Sequence, residues 1–179
     1  MTGAPIPNKI VGNILLYKNA GTVLDLGAGW GRNALFLAAS GFKVTCVDNN
    51  DNQINTFKQK ALDLGIAANI EKANIEDYDI TWSYDVIVST SVLHFIKNPK
   101  KVIDNMKEHT KTSGLNVISV FTKENPDRNF DYLFEKNELR NYYKDWEILV
   151  YNEYLSDLEQ HDNLGPHRHF IAEIIAQKI

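Results

Sequence analysis

The stretch Thr22 to Asn33, TVLDLGAGWGRN, constrains this chain more than any other. Thr22, Val23, Leu24 and Leu26 form a short β-branched and apolar run, the pattern of a buried strand. Three glycines follow at alternate positions, Gly27, Gly29 and Gly31. Asn33 to Ala39 then reads as a helix. A strand that breaks into glycines and resumes at once as a helix aims unpaired N–H groups at the turn, and the glycines let a ligand approach the backbone. A second strand, Lys43 to Val47, ends in Asp48, where an acid roughly 20 residues past such a turn meets ribose hydroxyls.

The rest of the chain repeats this alternation. Ile10, Val11, Ile14, Leu15 and Leu16 predict an amphipathic helix after a Pro5/Pro7 entry. Asn50 caps a helix that buries Ile54, Phe57, Ala61, Leu62 and Leu64 and stops at Gly65. Asn69 to Lys72 is a short strand, and Tyr84 to Ser89 a buried one. Asn98-Pro99 opens the next helix, and Leu115 to Phe121 is a fifth strand. Strict alternation means a parallel sheet covered on both faces. Beyond Asn137, which caps a short helix through Tyr142, the pattern changes. Trp146 to Tyr154 and His167 to Ala176 alternate like two strands with no helix between them, which predicts a hairpin at a sheet edge. At 179 residues and 44% hydrophobic the chain fits one domain, residues 1–179, with residues 1–20 as a helical segment packed on it.

Two kinds of ligand compete for the glycine turn. Gly29 to Ala34 satisfies the loose dinucleotide pattern G-x-G-x-x-G/A, which on its own is a weak signal. Asp25 argues otherwise: a carboxylate two residues before Gly27 offers a pyrophosphate nothing, but suits a ligand carrying a cationic amine and a sulfonium. D-x-G-x-G-x-G resembles motif I of the class I S-adenosylmethionine-dependent methyltransferases. DLGAGWGRN, VTCVDNN, STSVLHFI and FEKNELRNYYKDWEILVYNE together resemble the tellurite-resistance methyltransferases, over nearly the whole chain from Gly21 onward. That resemblance implies a Rossmann-like, doubly wound α/β fold: a seven-stranded, mostly parallel sheet with an antiparallel C-terminal hairpin. It implies S-adenosylmethionine as cofactor, S-adenosylhomocysteine as product and a small-molecule methyl acceptor. One departure bears on the acceptor. The family carries a His-Arg pair shortly after the YNE segment, where this chain has Glu159-Gln160. Basic groups follow only at His161, His167, Arg168 and His169.

Ligands of open α/β sheets sit at the carboxyl ends of the strands, where strand order reverses. By the resemblance, Asp25 and the loop Gly27, Gly29, Gly31 hold the methionine part of the cofactor. Asp48, with Asn49 beside it, takes the ribose diol, Asn74 and Ile75 border the adenine, and Thr90 meets the methionine end. Arg32 either pairs with the cofactor carboxylate or is an exposed helix charge. Trp30 either shields the sulfonium or packs on the N-terminal helix. Candidate catalytic residues are His94, which follows the fourth strand, with His167 and Arg168. An imidazole suits an acceptor that must lose a proton. His167 and His169 share one strand face, with Arg168 on the other. They suit an anionic acceptor or, with His161, a metal, or stand on a solvated edge. Two histidines without a carboxylate make a poor metal site, so no metal is expected. His109 closes a helix as a favourable dipole contact.

A net charge of −4 without a basic stripe predicts no nucleic-acid partner. No run of about 18 apolar residues predicts a membrane span. The single Cys46 reads as a buried thiol, and the lack of a second cysteine predicts a reducing, cytoplasmic setting. There is no Asn/Asp-Pro-Pro-Tyr after the fourth strand and no Pro-Cys pair, which disfavours DNA amino and C5-pyrimidine methylation. The remaining alternatives are a S-adenosylmethionine-binding module without turnover and an NAD(P)-binding oxidoreductase. The polar connection Leu155 to Pro166 is placed to act as a lid.

Overall fold

The computed structural model describes residues 5–126, 129–158 and 166–179. Seven strands form one sheet: β1 (Gly21–Leu26), β2 (Phe42–Asp48), β3 (Asn69–Lys72), β4 (Tyr84–Thr90), β5 (Thr110–Phe121), β6 (Glu147–Leu155) and β7 (Phe170–Gln177). Their order is β3-β2-β1-β4-β5-β7-β6. The first five pair in parallel. β7 runs antiparallel to both β5 and β6, so the C-terminal hairpin finishes the sheet as expected. The chain winds outward from β1 in one direction and from β4 in the other, which leaves a crevice between those strands.

Among the described residues, five α-helices cover the sheet: α1 (Lys9–Gly12), α2 (Arg32–Ala39), α3 (Asp51–Leu64), α4 (Pro99–Glu108) and α5 (Glu138–Tyr142). Alternation along each strand sends neighbours to opposite faces. Val23, Val86 and Val88 pack with Ile10, Leu35 and Phe57 of α1 to α3. Leu24, Leu26 and Ile87 pack with Val102, Ile103 and Leu139 of α4 and α5. The alternation puts Phe170, Ala172, Ile174 and Ala176 on one side of β7; of these, Ala172, Ile174 and Ala176 join the second layer.

Local signals hold at most boundaries. The Asn50 side chain accepts from Asn52 N (3.0 Å) and Gln53 N (3.2 Å) at the start of α3, and Gly65 closes that helix in the left-handed region at φ 64°. Asn98 accepts from Lys101 N at the start of α4, with Pro99 in the first turn. Several expectations are corrected. The N-terminal helix is one α turn followed by a 3-10 turn, Asn13–Leu16, so only Ile10, Val11 and Ile14 are buried while Leu15 and Leu16 are exposed. A stripe set for 3.6 residues per turn loses its register when the helix tightens. Leu62 is exposed, because Phe57 and Ala61 already fill that face of α3. β5 starts at Thr110, not Leu115: it pairs with Tyr84, and the ladder then slips by a bulge before Val86 meets Leu115. Asn137 precedes α5 at φ 61° without a side-chain cap. β7 starts three residues later than the alternation suggested, at Phe170.

Candidate functional site

A cleft of about 1600 Å³ opens over the carboxyl ends of β1, β2, β4 and β5. Its first wall is the glycine turn. Gly27 N and Ala28 N both donate to Val47 O (2.8 and 3.1 Å), which straps the turn to β2. Gly27, Gly29 and Gly31 all lie in the left-handed region, at φ 77°, 56° and 78°. They do not share one role. A Cβ on Gly31 would lie 1.9 Å from Phe57 Cδ2, and one on Gly27 would lie 2.6 Å from Val92 Cγ2. Both are close backbone approaches to packed side chains. A Cβ on Gly29 would meet only Gln53 Oε1, at 3.6 Å, and Gly29 lines the cleft.

Asp48 ends β2 and organises the turn. Its Oδ2 accepts from Gly29 N at 2.8 Å and its Oδ1 from Asn50 N at 2.9 Å. Asp25 lies beneath, fully buried in β1 and off the cleft wall, and its Oδ2 has no hydrogen-bond partner. Burial, reinforced by the nearby Asp48 carboxylate, pushes the Asp25 carboxyl up to about 7. Asp48 on the wall, with the unsatisfied acidic group of Asp25 buried behind it, makes this half of the site more receptive to a cation than to an anion. Burial and the same two acids push the Cys46 thiol up, so it stays a packed thiol.

The structure brings most of the expected cofactor residues together. Gly27, Gly29, Arg32, Asp48, Asn49, Asn74, Ile75 and Thr90 all line the cleft. Gly31 lies behind the wall with Asp25. Arg32 bonds the Asn8 side chain. Asn33 Nδ2 donates to Thr90 Oγ1 (2.9 Å) and Asn33 Oδ1 accepts from Asn8 N (2.8 Å). The N-terminal segment is therefore pinned to α2 and β4, and Asn8 and Lys9 join the wall. The Asn of the GRN run was the only sequence signal for that contact. Trp30 is 53% exposed on the cleft, with Lys60 Nζ 5.9 Å from its ring centroid, so it does not pack away on the N-terminal helix.

The far end of the cleft is aromatic. His94 is buried and stacks on Phe121 (centroids 3.8 Å, 9°), and His169 also stacks on Phe121 (4.1 Å, 11°). Phe130 meets His94 and Phe121 edge-on. Burial, with a smaller contribution from His169, holds His94 down at about 3, so it is neutral near pH 7. Its Nδ1 is buried with no hydrogen-bond partner. His167 touches His169 (4.8 Å between rings), but neither His167 nor the exposed Arg168 reaches the wall. His169 lines it instead, anchored by its N–H to Ser156 Oγ (3.0 Å), with Phe170 N donating to Asn125 Oδ1 (3.0 Å). Sequence reasoning missed Glu173, Asn152 and Tyr154 altogether; all three line the cleft. Glu159, Gln160, His161 and most of the expected lid lie outside the described residues.

A sheet of this order, with a glycine turn after β1 and an acid after β2, defines the class I methyltransferase fold. Within it the chain belongs to the TehB family: the family model for tellurite resistance protein TehB matches residues 7–171. The probable S-adenosyl-L-methionine-dependent methyltransferase TehB of Haemophilus influenzae is 42% identical over 153 residues, covering 80% of this chain and 52% of that protein. The chain thus spans about half the length of the curated relatives it matches. The crystal structure of TehB from Haemophilus influenzae superposes with a TM-score of 0.87 at 34% identity, covering 97% of this chain and 63% of that one. A ubiquinone biosynthesis O-methyltransferase of Rickettsia conorii is 34% identical over 101 residues, 56% of this chain and 35% of its own. Among the described residues no cluster of metal-ligating side chains is present, and no helix is long and apolar enough to cross a membrane.

Proposed function

We propose that this chain is a S-adenosylmethionine-dependent methyltransferase acting on a small-molecule acceptor. The observation that carries the reading is the paired Asp25 and Asp48 beneath the glycine turn, with Asp25 Oδ2 unsatisfied. This floor fits a cationic sulfonium ligand and disfavours a pyrophosphate. When bound, S-adenosylmethionine supplies a methyl group on a cationic sulfur, which an acceptor lone pair takes as the carbon–sulfur bond breaks and its electrons return to sulfur. Gly29 leaves room for the ligand against the backbone. Asp48 serves the ribose diol while holding the turn, Asn74 and Ile75 border the adenine, and Thr90 and Arg32 stand toward the methionine end. The stacked His94, Phe121 and His169 exclude water around the acceptor, and alignment does the rest.

A neutral imidazole held as low as His94 is a poor proton acceptor near pH 7. That favours an acceptor arriving as a ready nucleophile, such as a thiol or reduced chalcogen. A chalcogen oxyanion such as tellurite is the acceptor the family name suggests. Parallel calorimetric titrations with S-adenosylmethionine, S-adenosylhomocysteine and NADH test the cofactor. Binding of the first two without the third is expected, and binding of NADH alone would overturn the reading. Formation of S-adenosylhomocysteine with a panel of thiols and chalcogen anions separates an enzyme from a binding module without turnover.

A further inference from the structure

The acceptor end of the cleft carries a polar row that the cofactor half does not use. Ser119 on β5, Glu173 on β7 and Asn152 on β6 are direct cross-strand partners. Glu173 is 7% exposed and lines the cleft. Its Oε1 accepts from Asn152 Nδ2 at 3.0 Å and its Oε2 from the Tyr154 hydroxyl at 3.2 Å. Both donors are neutral, and a carboxylate accepts about four hydrogen bonds, so two acceptor positions remain. One row further along, Phe121, Ile171 and Tyr154 supply an apolar wall. The cations that line the cleft among the described residues, Lys9, Arg32 and Lys60, all belong to the N-terminal segment, α2 and α3, at the cofactor end. A second observation points to a ligand here. His94 lines the same end and its buried Nδ1 has no partner, although its ring is fixed by stacking on Phe121. A buried imidazole nitrogen normally finds one.

Resting on the methyltransferase reading above, we propose that the acceptor is a small molecule with a flat apolar body and a protonated amine, the amine seated on Glu173 and the body against Phe121. An ammonium completes the two open positions of the carboxylate and is attracted by the faces of Phe and Tyr rings. An oxyanion placed there faces a buried carboxylate at short range, and among the described residues no lysine or arginine lines that end to offset it. The recognition group and the nucleophile are separate parts of the acceptor, so a soft nucleophile is compatible with an ammonium anchor.

The test uses the full chain saturated with S-adenosylhomocysteine and three matched probes: 2-phenylethylamine, 2-phenylethanol and 3-phenylpropionate, with tellurite as a fourth. Affinities are read by ligand-observed NMR, independently of turnover. The amine should bind at least ~10-fold more tightly than the alcohol, and the acid and tellurite more weakly still. Glu173→Gln keeps the size of the side chain and should remove at least ~10-fold of the amine's affinity, leaving S-adenosylhomocysteine affinity unchanged. Preference for the acid or tellurite, equal binding of amine and alcohol, or no effect of Glu173→Gln would each overturn the inference while leaving the methyltransferase reading intact. Failure of S-adenosylhomocysteine to bind the unmodified chain would overturn both.

Discussion

Substitution of the turn glycines separates the one that lines the cleft from one that faces packed protein. Gly31→Ala forces a side chain into the left-handed region at φ 78° and sets its Cβ 1.9 Å from Phe57 Cδ2 and 2.5 Å from Cε2. The backbone cost is about 1–2 kcal/mol. Phe57 is fully buried and cannot swing into solvent, so displacing it adds the overpacking cost of about 1–3 kcal/mol. The expected loss is therefore about 2–5 kcal/mol, a large share of the ~5–15 kcal/mol that holds a domain together. Gly29→Ala, at φ 56° with Gln53 Oε1 3.6 Å away, should lose only the backbone part, about 1–2 kcal/mol. Urea unfolding followed by circular dichroism measures both. Phe57→Leu in the Gly31→Ala background should recover about 1 kcal/mol relative to additivity, since it makes room beside the new methyl. For cofactor binding the order reverses: at equal folded fraction, Gly29→Ala should weaken S-adenosylhomocysteine more than Gly31→Ala does. Equal stability losses for the two variants, or strict additivity with Phe57→Leu, would refute the division of roles.

Asp25 and His94 should tilt stability in opposite directions with pH. Asp25 is raised from 3.8 to about 7, so its contribution is full below about 3.8 and is lost as pH rises through 7; His94 is lowered from 6.5 to about 3, so its contribution is full above 6.5 and is lost as pH falls toward 3. Between pH 4 and 6.5 the two slopes oppose at about 1.4 kcal/mol per pH unit each, so Asp25→Asn should make the protein more acid-sensitive than the unmodified chain and His94→Gln less so, read from urea midpoints across that range. Asp48→Ala should weaken S-adenosylmethionine by more than ~1 kcal/mol in calorimetry, and unchanged affinity would count heavily against the site. Asn33→Ala removes the bonds to Thr90 and Asn8. It should cost about 1–3 kcal/mol and speed hydrogen exchange at the Asn8 amide, and unaltered exchange there would show the segment to be held by other contacts.

The cofactor half of the cleft is legible in the sequence because it is local. A strand, three spaced glycines, a helix start and an acid ending the next strand carry their geometry in short-range rules, and Gly29 and Asp48 come together as those rules require; Asn74 and Thr90, placed by the open-sheet rule and the family resemblance, line the same cleft. The roles of the glycines were not legible, since Phe57 and Val92 meet them only in the fold. The acceptor half is non-local. Ser119, Glu173 and Asn152 become neighbours only through strand order, and no spacing within the chain announces Glu173. The alternation from His167 to His169 was read as strand, but the ladder begins at Phe170; the two imidazoles touch, and only His169 comes onto the wall. Asp25 was read as a ligand contact from its distance to Gly27. Pleating instead turns it into the core behind the cleft wall, where burial and Asp48 raise its carboxyl to about 7.

The place of β7 between β5 and β6 has a consequence for how the protein emerges from the ribosome. Among the described residues β6 pairs in the sheet with β7 alone, and β7 runs to Gln177. Strands β1 to β5, with the glycine turn and Asp48, can assemble while the C-terminal residues are still in the exit tunnel. Glu173, His169 and the row through Ser119 cannot. The strand order thus allows a stage in synthesis in which the wall built by β1 to β4 stands while β5 is an open edge, covered when β7 pairs beside it. The far end of the cleft, lined by His169 and Glu173, is the later part of the sheet to be completed.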